Sequence, residues 1–410
     1  MRILVLHQYF LRDSDAGGSR FNAFARYWTE AGHEVTVICG QVPYTTGGRY
    51  ADCVGKLLVR ERAGATEVLR VYTPDTYTAG TLGRMWAFFG FMLAATLLVV
   101  RRARRADVVI ATSPPLVTVV PAWVARRVFR VPTVFEVRDL WPESAITTGV
   151  LRAGSLFTRL MYRLEALGYR LADRMVVLTP AFEDDIVRRG LAPAAKIVQI
   201  PNGADLELFQ PGPPDAALRA SLGWTDRCVV LYAGAHGTAN HLIQWVEAAD
   251  RLRDDPGILL AAVGDGPQRA ALEAEAARRG LTNCQFLGPV PKARMPALVR
   301  AADIGAAVLK RIETFKSVYP NKVFDYMASE RPVLCVIDGV ARALVVEQAG
   351  AGVFAEPEQP EAIAAAIRGL AASPERRRAL GAAGLAFVRR HFSREALAAR
   401  YLDLLETIAR

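Results

Sequence analysis

Short apolar runs alternate with helix-length segments along the whole chain. Residues 2 to 7, 34 to 39, 107 to 112, 133 to 137, 174 to 178 and 196 to 200 are rich in β-branched and aliphatic residues. They are apolar on both faces, which predicts parallel strands covered by helices on both sides. A second series of the same kind follows at 228 to 233, 258 to 263, 284 to 287, 304 to 308 and 332 to 336. Two doubly wound α/β domains in tandem account for that pattern. Between the two series, Pro201-Asn202-Gly203-Ala204-Asp205 and Phe209-Gln210-Pro211-Gly212-Pro213-Pro214 hold too much Pro and Gly for a helix or a strand, so the junction is placed there. After Ser373-Pro374 the chain closes on two Ala/Arg/Leu-rich helices, 374 to 390 and 393 to 409, the second with Ser393 as its expected N-cap.

Composition agrees with this picture and narrows the partners. A chain of 410 residues, 52% apolar and 22% charged, is globular and long enough for two cores. The formal net charge is +10, yet no Lys/Arg tract is interleaved with aromatics as a nucleic-acid channel requires. Nucleic acid is therefore excluded as a partner, and phosphate ligands and an anionic membrane surface are the expected ones. The five cysteines (Cys39, Cys53, Cys228, Cys284, Cys335) are widely spaced and form no C-x-x-C pair, which argues against a disulfide framework or a zinc site and fits a reducing cytosol. The opening Met1-Arg2-Ile3-Leu4-Val5-Leu6 turns polar at His7 and reads as a first strand rather than a signal segment.

One apolar segment stands apart. Met85 to Val100 is an uninterrupted run of 16 residues, preceded by Arg84 and followed by Arg101, Arg102, Arg104 and Arg105. It is shorter than the roughly 20 residues a spanning helix needs. A basic collar around an aromatic-rich helix predicts contact with an anionic membrane surface through Arg84 to Arg105.

Five segments carry candidate chemistry. Pro320-Asn321-Lys322-Val323-Phe324-Asp325-Tyr326-Met327-Ala328 reads as a loop and a short helix ahead of a buried strand. Lys322 can meet a phosphate as a point charge, and the helix N-terminus adds backbone N–H groups. Asp325, three residues on, shares the helix face and can accept from ribose hydroxyls. Glu136-Val137-Arg138-Asp139-Leu140-Trp141-Pro142-Glu143-Ser144 gathers ionisable groups at a strand's C-terminal end, where α/β sheets bind ligands. Its structural alternative is an Arg138 to Asp139 pair over Trp141. Gly17-Gly18 lies between the first strand and the next helix without the G-x-G-x-x-G dinucleotide fingerprint, and Cys39-Gly40 stands where a ribose-binding acid would follow. A dinucleotide dehydrogenase is disfavoured, although two glycines still let backbone N–H groups approach a phosphate. Gly234-Ala235-His236-Gly237 and Gly264-Asp265-Gly266-Pro267 complete the set as Gly-rich turns after strands. No D-x-D pair follows a strand and no His/Asp/Glu cluster has metal spacing.

Asp325, Met327, Ala328, Pro332 and Val333 resemble the E-A-M-A-x-G-x-P-V signature of retaining, family-4 GT-B glycosyltransferases, and the resemblance runs the length of the chain. The Asp139-Leu140-Trp141-Pro142-Glu143-Ser144 run and the P-N-K-x-F-D-Y-M-A form are closest to the amino-sugar, fucosamine-type branch of O-antigen and capsule synthesis. The Pro201 to Pro211 passage resembles the P-N-G-x-D-x-x-x-F-x-P domain junction of the same enzymes. The resemblance implies a GT-B fold of two Rossmann-like domains with a cleft between them. Residues 1–202 would form the acceptor domain, with 393–410 packing back on it, and 203–392 the donor domain. It implies a sugar nucleotide as donor, UDP the expected one, and a lipid-linked glycan as acceptor. No cofactor or metal is implied, and the setting is the cytoplasmic face of the inner membrane.

By the same resemblance Asp325 holds the ribose and Lys322 and Asn321 the diphosphate, with Gly234 and His236 beside them, and the backbone near Val290 reads the base. Asp139 and Arg138 face the sugar, and Gly17 and Gly18 the acceptor or phosphate. Three departures are visible. Ala235 and Asn240 stand where relatives keep an Arg and a Lys on the diphosphate, and Ser317 replaces the first Glu of the E-x7-E pair. The charge falls to Lys322, with Lys310, Arg311 and Lys316 as candidates before it. A nucleotide-sugar 2-epimerase of the same fold and a non-catalytic membrane-associated scaffold are the alternatives.

Overall fold

The computed structural model describes residues 1–12, 15, 20–43, 48–76, 80–149 and 151–409. It divides into two compact units, Met1–Pro201 with Arg394–Arg410, and Asn202–Ser393.

The first unit runs β1 (Arg2–Leu6), α1 (Arg20–Glu30), β2 (Glu34–Gly40), β3 (Leu58–Ala63), β4 (Thr66–Val71), α2 (Gly80–Arg102), β5 (Val108–Ser113), α3 (Val119–Arg127), β6 (Thr133–Val137), α4 (Glu143–Thr147), α5 (Leu156–Leu171), β7 (Arg174–Val177), α6 (Pro180–Arg188) and β8 (Ile197–Gln199). Its 8-stranded sheet has the order β3-β4-β2-β1-β5-β6-β7-β8. Every pair is parallel except β3 with β4, a hairpin in which Ala63 pairs with Thr66. The turn uses Gly64 at φ +58°, a left-handed conformation that glycine adopts without a Cβ clash. The apolar pattern did not predict this hairpin, because β3 reads Leu-Val-Arg-Glu-Arg-Ala. Alternate charges are what an exposed edge strand carries.

The second unit runs α7 (Ala216–Ser221), β9 (Cys228–Ala233), α8 (Ile243–Arg251), β10 (Ile258–Val263), α9 (Arg269–Arg278), β11 (Cys284–Gly288), α10 (Met295–Ala301), β12 (Ile304–Val308), α11 (Asn321–Ala328), β13 (Val333–Val336), α12 (Val340–Arg342), β14 (Gly352–Phe354), α13 (Pro360–Ala371) and α14 (Pro374–His391). The last helix, α15 (Arg394–Ala409), belongs to the first unit. The second sheet is parallel in the order β11-β10-β9-β12-β13-β14. Its strands alternate between two cores. Val229, Leu231, Leu259 and Ala261 enter one, and Val230, Tyr232, Leu260 and Ala262 the other. A sheet buried on both faces explains why these strands read as continuous apolar runs.

α15 packs on α1 within the first unit. Trp28 Nε1 donates to Ala398 O at 2.9 Å, and the Tyr401 ring stands 5.4 Å from Trp28 and 5.9 Å from Phe24. Burial of aromatics at about 1.5–3 kcal/mol each holds the chain's end to its beginning. α2 corrects the sequence reading of its length. It covers 23 residues rather than the 16 of the apolar run, because the helix continues through the polar positions that flank the run. It is long and apolar enough to cross a membrane by composition, yet its inner residues Ala87, Phe91, Ala95 and Val99 are fully buried in the first unit.

Candidate functional site

In the second unit three adjacent strands, β11, β10 and β9, end in glycine turns that are tied sideways. Gly234 N donates to Val263 O at 2.9 Å, Gly264 N to Gly288 O at 3.0 Å, and His236 N to Asp265 O at 2.9 Å. The turns lie so close that a Cβ on Gly264 would fall 1.9 Å from Gly234 O. Beside them α11 is fixed by Tyr326. Its hydroxyl accepts from Ala233 N at 3.0 Å and lies 3.1 Å from Leu231 O. Its ring covers Gly305 of β12, where a Cβ would meet it at 2.2 Å. α11 begins after Pro320 with no side chain capping its first turn; Val323 N donates to Pro320 O at 3.1 Å, and the helix N-terminus is a place where an anion is favoured.

This clamp sets Lys322 against the first turn. Its ammonium lies 3.6 Å from the Tyr232 ring centroid, over the ring face, and 2.7 Å from where a Cβ of Gly234 would stand. Tyr232 in turn donates its hydroxyl to Ala235 O at 2.8 Å, which fixes the turn beneath. No carboxylate pairs with Lys322 among the described residues. Burial pushes its pKa down to about 7.

A pH dependence follows. An unburied lysine has a pKa of 10.5, so any anion bound against Lys322, a diphosphate among them, would favour the charged form and raise the pKa again. Below about pH 7 the ammonium is already charged and binding takes up no proton; above it, uptake approaches one and affinity falls as pH rises. Calorimetry of nucleotide binding in buffers of different ionisation enthalpy should show near-zero uptake at about pH 6 and nearly one proton at about pH 8.5. Lys322→Met should abolish the difference.

The other residues singled out in this half are placed as follows. Asp325 is half-buried on α11, three positions after Lys322, and Asn321 is exposed at the helix start. His236 is fully buried, its ring 6.1 Å from Tyr232 and 5.9 Å from Phe286, with neither ring nitrogen hydrogen-bonded. Burial and the nearby Arg269 lower its pKa. Lys310 touches the first turn through its backbone, N to Ala239 O at 2.8 Å. Lys316 is engaged by Glu313 at 2.7 Å, and Arg311 by Glu356 at 3.3 Å. Val290 packs against the core.

In the first unit a second cluster forms at the ends of β1, β5 and β6. Glu136 is fully buried on β6, and Arg20, the first residue of α1, meets both of its oxygens at 3.2 and 3.3 Å. Arg20 also donates to the carbonyls of Pro201 and Ile200, and its guanidinium lies over Phe24. Arg138 stands 3.9 Å from Glu136 and 3.4 Å from His7 Nε2. His7 Nδ1 is 2.8 Å from Thr112 Oγ1. Burial, then Arg138 and Arg20, hold the His7 pKa well below its usual value. The ring is neutral, accepting from Arg138 and donating to Thr112.

The structural alternative, an Arg138 to Asp139 ion pair, is not the one formed. β6 ends at Val137, and in the bend that follows Arg138 meets Glu136 and His7 while Asp139 accepts from Ser144 Oγ at 2.8 Å. Burial raises the Asp139 pKa above its ordinary value, with Ser144 and a backbone N–H opposing the shift. Trp141 does not sit under that pair; it meets Phe88 of α2 edge to face at 6.1 Å. His7, Arg20 and Tyr232 were not singled out from sequence as functional positions with a role. The signal was a polar residue directly after the first strand and an Arg two positions after the Gly17-Gly18 pair. Gly17 and Gly18 lie outside the described residues. Among the described residues no group of three or more His, Cys, Asp or Glu could hold a metal ion.

Residues 16–203 match the glycosyl transferase 4-like domain, and residues 215–386 match the glycosyl transferases group 1. The chain is a glycosyltransferase made of these two domain families. The family inferred from the motifs is therefore the one found, and it favours transfer over the epimerase and scaffold alternatives. This glycosyltransferase is 27% identical over 379 residues to the putative colanic acid biosynthesis glycosyl transferase WcaI of Escherichia coli, covering 90% of this chain and 91% of that one. It is 26% identical over 268 residues to the probable glycosyltransferase WbjE of Pseudomonas aeruginosa, 65% of this chain and 66% of WbjE. Its fold is that of sucrose-phosphate synthase from Thermosynechococcus elongatus, with TM-score 0.76, 21% identity and coverage of 99% and 98%. The Anabaena protein HepE in complex with UDP gives TM-score 0.73 at 18% identity, with coverage of 99% and 100%. Both agree with the two Rossmann-like domains of a GT-B enzyme.

Proposed function

We propose that this glycosyltransferase moves a sugar, an N-acetylated amino- or deoxy-sugar, from a UDP-type donor to a lipid-linked glycan in surface-polysaccharide synthesis, with retention and without a metal. It would work as a peripheral protein on the cytoplasmic face of the inner membrane. The observation that carries the donor assignment is Lys322, a carboxylate-free ammonium seated on Tyr232 against the Gly234 turn, with Asp325 one helical turn on. In this reading Lys322, Asn321 and the α11 N-terminus take the diphosphate and Asp325 the ribose. As the bond from the anomeric carbon to phosphate breaks, their charge stabilises the leaving oxygen. The acceptor oxygen bonds to that carbon on the same face and its proton passes to the departing phosphate.

The preference for an amino-sugar is supported by the Asp139 to Ser144 motif, with Asp139 and Arg138 assigned to the sugar. The polysaccharide setting is supported by the names of WcaI and WbjE, and UDP by its presence with HepE. Calorimetric titration with UDP, GDP and dTDP in EDTA tests the reading. One nucleotide should bind selectively, and Asp325→Ala should weaken it by about 10- to 100-fold, the cost of losing hydrogen bonds to a charged acceptor. Undiminished affinity and turnover in Asp325→Ala would remove the central assignment.

A further inference from the structure

Large apolar side chains are exposed on one group of neighbouring helices. On α2 they are Leu82, Trp86, Phe89, Leu93, Leu97 and Val100, spaced four, three, four, four and three, which is a single helix face. α3 packs beside α2, and α5 beside α3. α3 and the residue after it add Trp123 and Val128, and α5 adds Leu156 and Leu160, with Leu156 83% exposed. Elsewhere among the described residues the large apolar side chains exposed in this way are Val54, Leu57 and Val187.

The charge on these helices has one sign. α2 and α3 contain no Asp or Glu, and the single acid of α5, Glu165, is buried and paired with Arg189 at 2.7 Å. Arg101, Arg104, Arg105, Arg127, Arg159 and Arg163 are exposed around the apolar positions. α2 cannot leave the unit to span a bilayer without stripping Phe91, Ala95 and Val99 from the core. Close contacts hold the layer in place: a Cβ on Gly90 would strike Pro74 at 2.4 Å, and one on Gly168 would strike Val119 at 2.7 Å.

We infer that α2, α3 and α5 together form a docking surface for an anionic lipid bilayer, lying flat on it with Trp and Leu in the headgroup boundary and arginines on the phosphates. The inference rests on the membrane-peripheral reading and extends it from one helix to three, with a stated lipid chemistry. Apolar area and basic charge on one face are the two signals that stable interfacial binding requires. A second copy of the chain is disfavoured as occupant, because it would oppose arginines to arginines with no carboxylate between them.

Co-flotation of the full chain with phosphatidylcholine vesicles, with and without phosphatidylglycerol, tests this. Capture is expected with the anionic vesicles and to weaken as salt is raised. Trp86→Ser with Phe89→Ser, and separately Leu156→Ser with Leu160→Ser, should each weaken capture by about tenfold or more. Arg104→Gln and Arg105→Gln should cost roughly fivefold each. These positions are exposed, so melting temperature and nucleotide binding should not change. Equal capture by neutral vesicles, or none by either, overturns the inference, and intact nucleotide binding in the same sample leaves the transferase reading standing. Indifference to Leu156 and Leu160 overturns the three-helix surface. A dimer in light scattering that those substitutions dissolve assigns the face to self-association instead.

Discussion

Lys322→Ala is expected to lower kcat by about 10²- to 10³-fold, the effect of removing one preorganised group from a developing oxyanion. The size of the effect rests on what the chain lacks. Ala235 and Asn240 carry no charge at the two positions where the family resemblance leads one to expect cations, and Lys316 and Arg311 are engaged by Glu313 and Glu356. Lys322 holds its ammonium against the Gly234 turn, whereas Lys310 meets that turn through its backbone N–H. A charge that acts on the leaving group should be felt in kcat more than in KM. Lys322→Arg should rescue little, since a planar fork cannot take the place of a compact ammonium centred over the Tyr232 ring. Steady-state kinetics at about pH 6.5 keeps the wild-type lysine charged and makes the comparison cleanest. An unchanged kcat would mean that the diphosphate is neutralised by another group.

What was legible in the sequence follows from range. Lys322, Asp325 and the glycine turns could be read because each is a local motif on one helix or one turn. Tyr232, which seats Lys322, could not. It lies on strand β9, far from α11 in sequence, and its hydroxyl bond to Ala235 is formed only when β9 and the turn are built. Glu136 was visible as part of a charge cluster, but its partner Arg20 is 116 positions away, beyond any spacing rule. The adjacency of Arg138 and Asp139 could not tell which partner each takes, because Glu136 with His7 for the one and Ser144 for the other are brought up only by the folded strand end. The fold divides in the same way. Strands buried on both faces gave continuous apolar runs, whereas β3, with alternating charges on an edge, did not. The three-residue β14 is too short to leave a pattern. The α2 run reported an apolar stretch and not the helix, whose ends continue through Gly80 to Arg84 and Arg101 to Arg102.

Glu136→Gln is expected to destabilise the first unit by about 3–5 kcal/mol, the range for breaking a buried ion pair from one side. The substitution keeps the shape and removes the charge, leaving Arg20, only 3% exposed, without a carboxylate. Arg138 loses its acid at the same time, since Asp139 is turned to Ser144. His7, held neutral by burial and these two cations, offers no compensation. For a unit of this size the loss corresponds to a fall in melting temperature of roughly 10 °C, and the transition of the second unit should not move if the two melt separately. Adding Arg20→Met should recover part of the loss, because an apolar side chain of similar length leaves no stranded charge beside Phe24. Turnover measured well below the new transition separates stability from chemistry. If Arg138 needs Glu136 to hold its direction toward a ligand, kcat should drop in the folded variant while nucleotide affinity, which the proposed donor site assigns to the second unit, stays as it was. Equal melting temperatures for Glu136→Gln and the wild type would mean that the Arg20 carbonyl bonds and the Phe24 contact carry the pair's stability without its charge.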